Sequence, residues 1–261
     1  MNLGIAGRNA IVCASSKGLG RGCAAALAEA GCKVVINGRD AARLEAAAEA
    51  MRSATGAEII AVAGDISTGA VQDRAIAALG GVVDILVNNN GGPPRRDFRE
   101  LDRAAMVEGV VQNMVTPIEL IQRVLGPMAE RGFGRIVNIT SLSVVMPLEG
   151  LDLSSGARAG LTAFLAGISR GVAAGRNVTI NNILPGKMDT DRLRGGFARA
   201  ASMSGRDEAE IAEEQRAEIP ARRFGTAEEF GQACAFLCSA HAGYITGQNI
   251  LIDGGLYPSA F

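Results

Sequence analysis

Between the β-branched run Ala10-Ile11-Val12 and the apolar positions Ala24, Leu27 and Ala28 lies Ala14-Ser15-Ser16-Lys17-Gly18-Leu19-Gly20. Glycines at a strand-to-helix turn let a pyrophosphate approach the backbone and meet the positive end of a helix dipole. Ser16, Lys17, Gly18, Leu19 and Gly20 are therefore candidate dinucleotide ligands. A second chemistry-bearing stretch, Asn37-Gly38-Arg39-Asp40, closes the next β-branched run. An acidic residue in that place typically takes a ribose 2′-hydroxyl. Arg39, helped by Lys17, would instead pair with a 2′-phosphate through charge-assisted hydrogen bonds. The pattern favours NADP(H) and still admits NAD(H). The competing reading makes Arg39 the solvated start of a helix and Asp40 its N-cap.

Other reactive types are sparse. Cys13, Cys23, Cys32, Cys234 and Cys238 form no CxxC pair, and His241 is the sole histidine. No metal site is expected, and the thiols read as buried packing residues. Glu149 and Asp152 offer a carboxylate acid or base, although helix capping suits Asp152 better. Pro93-Pro94-Arg95-Arg96 carries two arginines that either attract an acidic substrate or are merely solvated.

The elements that must position these residues follow from the apolar runs. Ala10–Val12, Lys33–Ile36, Glu58–Val62, Asp84–Val87, Arg135–Ile139, Val178–Ile180 and Asn249–Ile252 suit strands covered on both faces. Helical spacing between most of them, as in Ala41–Ala54, implies right-handed βαβ crossovers and about six main helices. The expectation is an α/β fold: one Rossmann-type, doubly wound domain over 1–261, with a seven-stranded parallel sheet, helices on both faces and strand order 3-2-1-4-5-6-7. The stretch from Pro185 to Pro220 is too long for an ordinary connection, and two helix-compatible segments inside it suggest a lid at about 186–220. Around Leu151 to Ala174, the small residues Gly156, Gly160, Ala163, Gly167, Gly171 and Ala174 share one helical face. Glycine is costly inside helices, so the row implies close backbone approach: a subunit interface in a homotetramer or homodimer, or packing on the chain's own sheet.

Composition bounds the partners. With 261 residues, 48% of them hydrophobic, and a net charge of −1, the chain can bury a full core and has no basic stripe for nucleic acid. No apolar run approaches membrane-spanning length, and Met1-Asn2-Leu3-Gly4 does not open a signal peptide. A cytoplasmic protein acting on a small molecule, with no nucleic-acid or membrane partner, is expected.

Taken together with Asp65, Asn88-Asn89-Asn90-Gly91, Pro185-Gly186 and the tail motifs Pro220-Ala221-Arg222-Arg223-Phe224-Gly225, Ile245-Thr246-Gly247-Gln248 and Asp253-Gly254-Gly255, the chain resembles the short-chain dehydrogenase/reductase family. The tail resembles its 3-oxoacyl-carrier-protein reductase branch. The resemblance implies that Asp65 meets the adenine and Asn88 lies beside the adenosine ribose, with Ile66 and Gly91 completing the cofactor set. It further implies that Thr190 and the backbone after Pro185-Gly186 hold the nicotinamide carboxamide. Asn113 matches the proton-relay asparagine and Ser141 the serine that hydrogen-bonds the substrate carbonyl.

The chain departs from that pattern. Ala14 stands for a glycine, a mild change, and Asn90 for an alanine, which would bring an amide to the cofactor. Thirteen residues after Ser141, where the family has tyrosine and then lysine four positions later, the chain has Ser154 and Arg158. A serine hydroxyl is a far weaker acid than a tuned phenol, and arginine stays charged. Arg158 lies one turn from Ser154 on the same face, placed to bridge the nicotinamide ribose or to bind a substrate carboxylate or developing oxyanion. Three readings stand. In the first, NADPH reduces a carbonyl, or an alcohol is oxidised, with Asn113, Ser141, Ser154 and Arg158 as the catalytic set. In the second, the chain binds dinucleotide without turnover, as a sensor or partner subunit. In the third, the fold runs non-redox chemistry, as in the halohydrin dehalogenases, which carry arginine at the lysine position.

Overall fold

The computed structural model describes residues 2–93, 95–171 and 173–259; Pro94 lies outside them. Seven strands form one parallel sheet: β1 (Asn9–Val12), β2 (Lys33–Gly38), β3 (Ile59–Ala63), β4 (Ile85–Asn88), β5 (Gly134–Ile139), β6 (Val178–Pro185) and β7 (Asn249–Ile252). Their order, β3-β2-β1-β4-β5-β6-β7, is the expected one. Alternation along β1 explains the double covering. Ala10 and Val12 pack with one core and Ile11 with Cys13 with the other, every one of them buried. A strand feeding two cores must be apolar throughout, which is why these runs are continuous.

Helices α1 (Gly18–Glu29), α2 (Ala41–Thr55) and α9 (Ala227–Cys238) cover the first face. The second is covered by α3 (Gly69–Ala77), by α5 (Thr116–Arg131) with α4 (Arg103–Val110) running into it, and by α6 (Asp152–Ile168). The contact of α1 with α9 depends on Gly22 and Gly231, since a Cβ on Gly22 would lie 2.0 Å from the Ala227 carbonyl oxygen. The stretch 186–220 forms α7 (Asp191–Ser204) and α8 (Glu208–Ala217), each with an N-cap side chain, Thr190 and Asp207. Among the described residues, no helix is long and apolar enough to cross a membrane.

Three details differ from expectation. β6 runs on to Pro185, past Ile180, because Asn182 to Pro185 pair with β7. Helix α6 stops at Ile168, so Gly171 and Ala174 lie in the turns beyond it. Between α4 and α5, Val111–Val115 adopts a π-helical turn that holds Asn113, a bulge found often at functional sites. On the small-residue face of α6, a Cβ on Gly156 or Gly167 would meet nothing within 4 Å, while one on Gly160 would lie 3.0 Å from Met114 Sδ, so the face packs on the π-helical turn at its middle and is open on either side. All five cysteines are free and buried, and burial pushes the thiols of Cys13 and Cys32 up to about 12.

Candidate active site

The strand order reverses between β1 and β4, which opens a cleft beyond their carboxyl ends. On one side lies the glycine turn. Helix α1 begins after Lys17, which makes no side-chain cap, and has no acidic residue in its first turn. Its first N–H groups are therefore left for an anion. A Cβ on Gly20 would lie 2.5 Å from the Ala14 carbonyl oxygen, and Gly18 holds φ +57°. The turn is held from behind: the Ser15 hydroxyl donates to Val12 O at 2.7 Å and accepts from Asn37 N, while Asn89 Nδ2 donates to Ala14 O at 3.1 Å. Asn37 Nδ2 in turn donates to Val62 O and Gly64 O. Ala14 itself sits at φ +43°, so its substitution for glycine is not mild; it carries backbone strain.

Arg39 is exposed at the end of β2, while Asp40 accepts from Arg43 N at 3.0 Å and caps α2. Asp65 is partly buried, which works against its charge, but hydrogen bonds from Ser67 and the charge of Arg39 hold its carboxyl below the usual range. Lys17 reaches across the cleft to Asp191 at 3.4 Å, and Thr190 Cγ2 lies 3.8 Å from the place of a Gly18 Cβ. The start of the lid thus rests on the glycine turn. Gly186 is fixed by its N–H on Ile252 O and by Asp253, which fills the space a Cβ would need.

Asn88 Nδ2 donates to Asn138 Oδ1 at 2.9 Å, and the pattern continues from Asn138 to Asn182 and from Asn182 to Asn249. These four are register partners across β4 to β7, so the amides form a ladder tying the strand ends together. The Asn88 side chain is buried in that ladder, with its Oδ1 without a partner. Asn90 Nδ2 donates to Gln112 O and Oε1 in the π-helical turn.

The structure does bring Ser154 and Arg158 together, with Arg158 Nε donating to Ser154 Oγ at 3.3 Å. Arg158 Nη1 donates to Ile139 O at 2.6 Å and Nη2 to Asn90 O at 3.4 Å. The residue is 8% exposed. Burial, and then the charge of Arg192, bring its pKa down to about 10, so it remains cationic at neutral pH. At the end of β5, Ser141 Oγ accepts from both Ser143 N (3.1 Å) and Ser143 Oγ (2.9 Å), which leaves its own proton to donate outward. Asn113 is buried, with Nδ2 on Gly109 O and Oδ1 without a partner. It lines a small cavity with Asn88, Asn90, Gln112, Asn138 and Arg158. A second cavity, lined by Pro93, Arg96, Leu101, Leu151 and Leu153, ends on Ser154. Asp152 is the first residue of α6 and does not cap it, since the N-cap position is Leu151 and no side chain caps the helix; its charge instead lies in the first turn, and Glu149 is exposed in the turn before it. Tyr244 is fully exposed.

Sequence reading missed Asn89, the Asn138–Asn182–Asn249 ladder and Arg192. The ladder had a signal, an asparagine near the end of each of four successive strand runs. Arg192 had none, because its place depends on how the lid docks.

A family model described as enoyl-(acyl carrier protein) reductase matches residues 13–257. Nodulation protein G of Azospirillum brasilense is 33% identical over 253 residues, covering 95% of this chain and 97% of its own. A 3-oxoacyl-[acyl-carrier-protein] reductase of Aquifex aeolicus is 31% identical over 260 residues, covering 98% and 100%. The L-sorbose reductase of Gluconobacter frateurii, solved with NADPH and L-sorbose, superposes with a TM-score of 0.93 at 27% identity, covering 99% of this chain and 100% of that one.

Proposed function

The chain belongs to the short-chain dehydrogenase/reductase family, and from that premise we propose that it is an NADP(H)-preferring carbonyl reductase with an altered catalytic pair. The observation that carries this reading is the pairing, at one cleft, of the uncapped α1 N-terminus behind the Gly20 cradle with the outward hydroxyl of Ser141 beside buried Arg158. The cradle fits a pyrophosphate, because the first N–H groups of α1 carry no side-chain cap and Gly20, where a Cβ would lie 2.5 Å from Ala14 O, lets the turn pack tightly enough to present them. Ser16, Lys17, Gly18, Leu19 and Gly20 would hold that end, Asp65 with Ile66 the adenine, and Gly91, Pro185, Gly186 and Thr190 the nicotinamide half. Arg39, free of any ion pair among the described residues, is the group to meet a 2′-phosphate. The sorbose reductase, whose structure contains NADPH, supports the same preference.

When bound, the reduced cofactor supplies a hydride. The chain's own residues must orient the acceptor and answer the charge that develops on its oxygen. Ser141 donates a hydrogen bond to that oxygen. Arg158, only 8% exposed, stabilises it as a fixed cation. Ser154, whose oxygen already accepts from Arg158 Nε, has its hydroxyl proton free to pass toward the oxygen and be replaced from solvent. No phenol is needed if the guanidinium lowers the proton demand of the alkoxide.

Titrating NADPH into the protein and following cofactor fluorescence, then adding a panel of ketones and oxo acids, tests this. Substrate-dependent loss of NADPH absorbance is expected, reduced about 100-fold by Ser141→Ala. Binding without turnover on the whole panel would favour the sensor or partner-subunit reading. The outward face of α6, with exposed Phe164 beside Met106, Val107, Val110 and Val115, supports a homodimer or homotetramer formed by this face. Sedimentation should report a dimer or larger, and Gly156→Glu should yield monomers.

A further inference from the structure

Two arginines hang from one short loop over the catalytic positions. Arg158 holds Asn90 O from α6. Arg192, from the first turn of the lid helix α7, holds Gly92 O at 3.2 Å through Nη1 and Pro93 O at 3.0 Å through Nη2. Neither has a carboxylate within ion-pair distance among the described residues. The acids that adjoin Arg192 are turned to other partners, Asp191 to Lys17 and Asp189 to Arg194, and Glu108 accepts from Gln112. A guanidinium carries five N–H donors. With the bonds above, two on Arg158 and three on Arg192 stay uncommitted. The Arg192 side chain as a whole is exposed, but its tip rests on the loop. Its charge reaches Arg158 strongly enough to lower that residue's pKa.

Burying a cation without a counter-charge is unfavourable, and placing a second beside it adds repulsion. A chain that maintains both, in the cleft where its substrate must enter, has built half of an ion pair. The cavity that Ser154 lines extends the argument. Its walls are apolar, from Leu101, Leu151 and Leu153, and a third guanidinium, Arg96, lines it. Ser154 in turn accepts from Arg158 Nε, so an apolar surface carrying one cation reaches the residue that touches another.

We propose that Arg158 and Arg192 form a carboxylate-binding subsite and that the substrate is a small oxo acid, or the corresponding hydroxy acid in reverse, rather than a neutral ketone or an acyl thioester. The two guanidiniums come from α6 and the lid, so a bound carboxylate bridges them and holds the lid on the loop 90–93. The carboxylate of a 2- or 3-oxo acid lies one or two bonds from the reacting carbonyl, which suits a cation directly beside Ser154, as Arg158 is, with a second on the loop 90–93. The assignment rests on the reductase reading only for where the reacting carbon lies; the anion subsite stands on the arginines alone.

The test uses oxamate and its uncharged isostere oxamide, titrated by calorimetry into the protein with and without NADPH. Oxamate should bind at least about tenfold more tightly than oxamide, the scale expected of a charge-assisted bidentate contact. The preference should fall about fivefold or more in Arg192→Gln and vanish in Arg158→Gln. Arg192 lies on the exposed lid, so its variant stays informative even where the buried substitution impairs folding. Equal binding of the two probes by the unaltered protein, or a preference that survives Arg192→Gln unchanged, would overturn the subsite. The two readings fail separately. If NADPH does not bind and the oxamate preference persists, the reductase reading falls and the anion subsite stands. If NADPH binds and neutral ketones are reduced without any oxamate preference, the subsite falls and the reductase stands.

Discussion

The two ends of the sheet each bury an arginine without a carboxylate, and they treat it differently. At the amino end, Arg135 is 1% exposed. It donates to Ser239 O at 3.0 Å, to Gly134 O and Asn177 O at 2.8 Å and to Asn177 Oδ1 at 3.1 Å, with its guanidinium 4.5 Å from the centre of the Phe133 ring. At the carboxyl end, Arg158 makes one short bond and two long ones, to neutral oxygens, in a cavity where Asn88 Oδ1 and Asn113 Oδ1 also lack partners. The same residue type, buried at both ends, has four of its five N–H donors met at one end and three, two of them long, at the other. Polar groups that a fold satisfies internally serve the fold; those it keeps buried and unmet are the ones a ligand completes.

The largest effect should separate these roles. Replacing Arg135 by Met would take from the buried Ser239 carbonyl its 3.0 Å donor, at about 1–3 kcal/mol, and would also remove the bonds that tie β5 to Asn177 and the packing on Phe133. Urea denaturation should show a loss of about 3 kcal/mol or more, with NADPH affinity of the folded fraction unchanged. A loss of cofactor affinity without a loss of stability would break the comparison.

Arg158→Gln should do the reverse. The amide can keep one of the two backbone contacts, so stability should move by under about 1 kcal/mol, while kcat/KM falls about 100- to 1000-fold through loss of charge opposite the developing oxyanion. Steady-state reduction of a turned-over substrate, alongside denaturation of the same preparation, measures both. A large stability loss with kcat/KM unchanged would make Arg158 a second Arg135.

The difference between the ends also marks what was legible in the sequence. The strands were readable because a doubly covered sheet demands unbroken apolar runs, and their order is that of the doubly wound pattern. The glycine turn was readable because Gly18 and Gly20 meet conformational and steric limits that act within a few residues. The asparagine ladder depends on the register of four strands, so the Asn88 partner Asn138 was not readable. The Asn90 partner, Gln112, lies in a π-helical turn that no propensity announces. Arg192 depends on lid docking. The pairing of Ser154 with Arg158 was legible because one helical turn separates them.

On the adenosine side, Arg39 is the residue whose removal sharpens the contrast between a preformed cradle and a specificity contact. Arg39→Ala should leave NADH affinity near its original value and weaken NADPH about tenfold, roughly 1.4 kcal/mol. Competitive fluorescence titration of the two cofactors measures this. Parallel weakening of both would mean that Arg39 acts through Asp65, whose carboxylate it stabilises, and not on a 2′-phosphate.

The smallest effect concerns the cradle's own strain. Ala14 holds φ +43° because its carbonyl must accept from Asn89 Nδ2 while leaving the backbone clear for Gly20. A left-handed conformation costs an alanine roughly 1–2 kcal/mol, part of which glycine recovers and part of which it gives back as added freedom of the unfolded chain. Ala14→Gly should therefore raise stability by about 0.5–1 kcal/mol, a shift of a few degrees in Tm at most, with cofactor affinity the same or slightly better. A destabilised variant would mean that the alanine methyl packs usefully in the turn, and that this end of the cleft, too, has been altered for a purpose other than the family's common cofactor geometry.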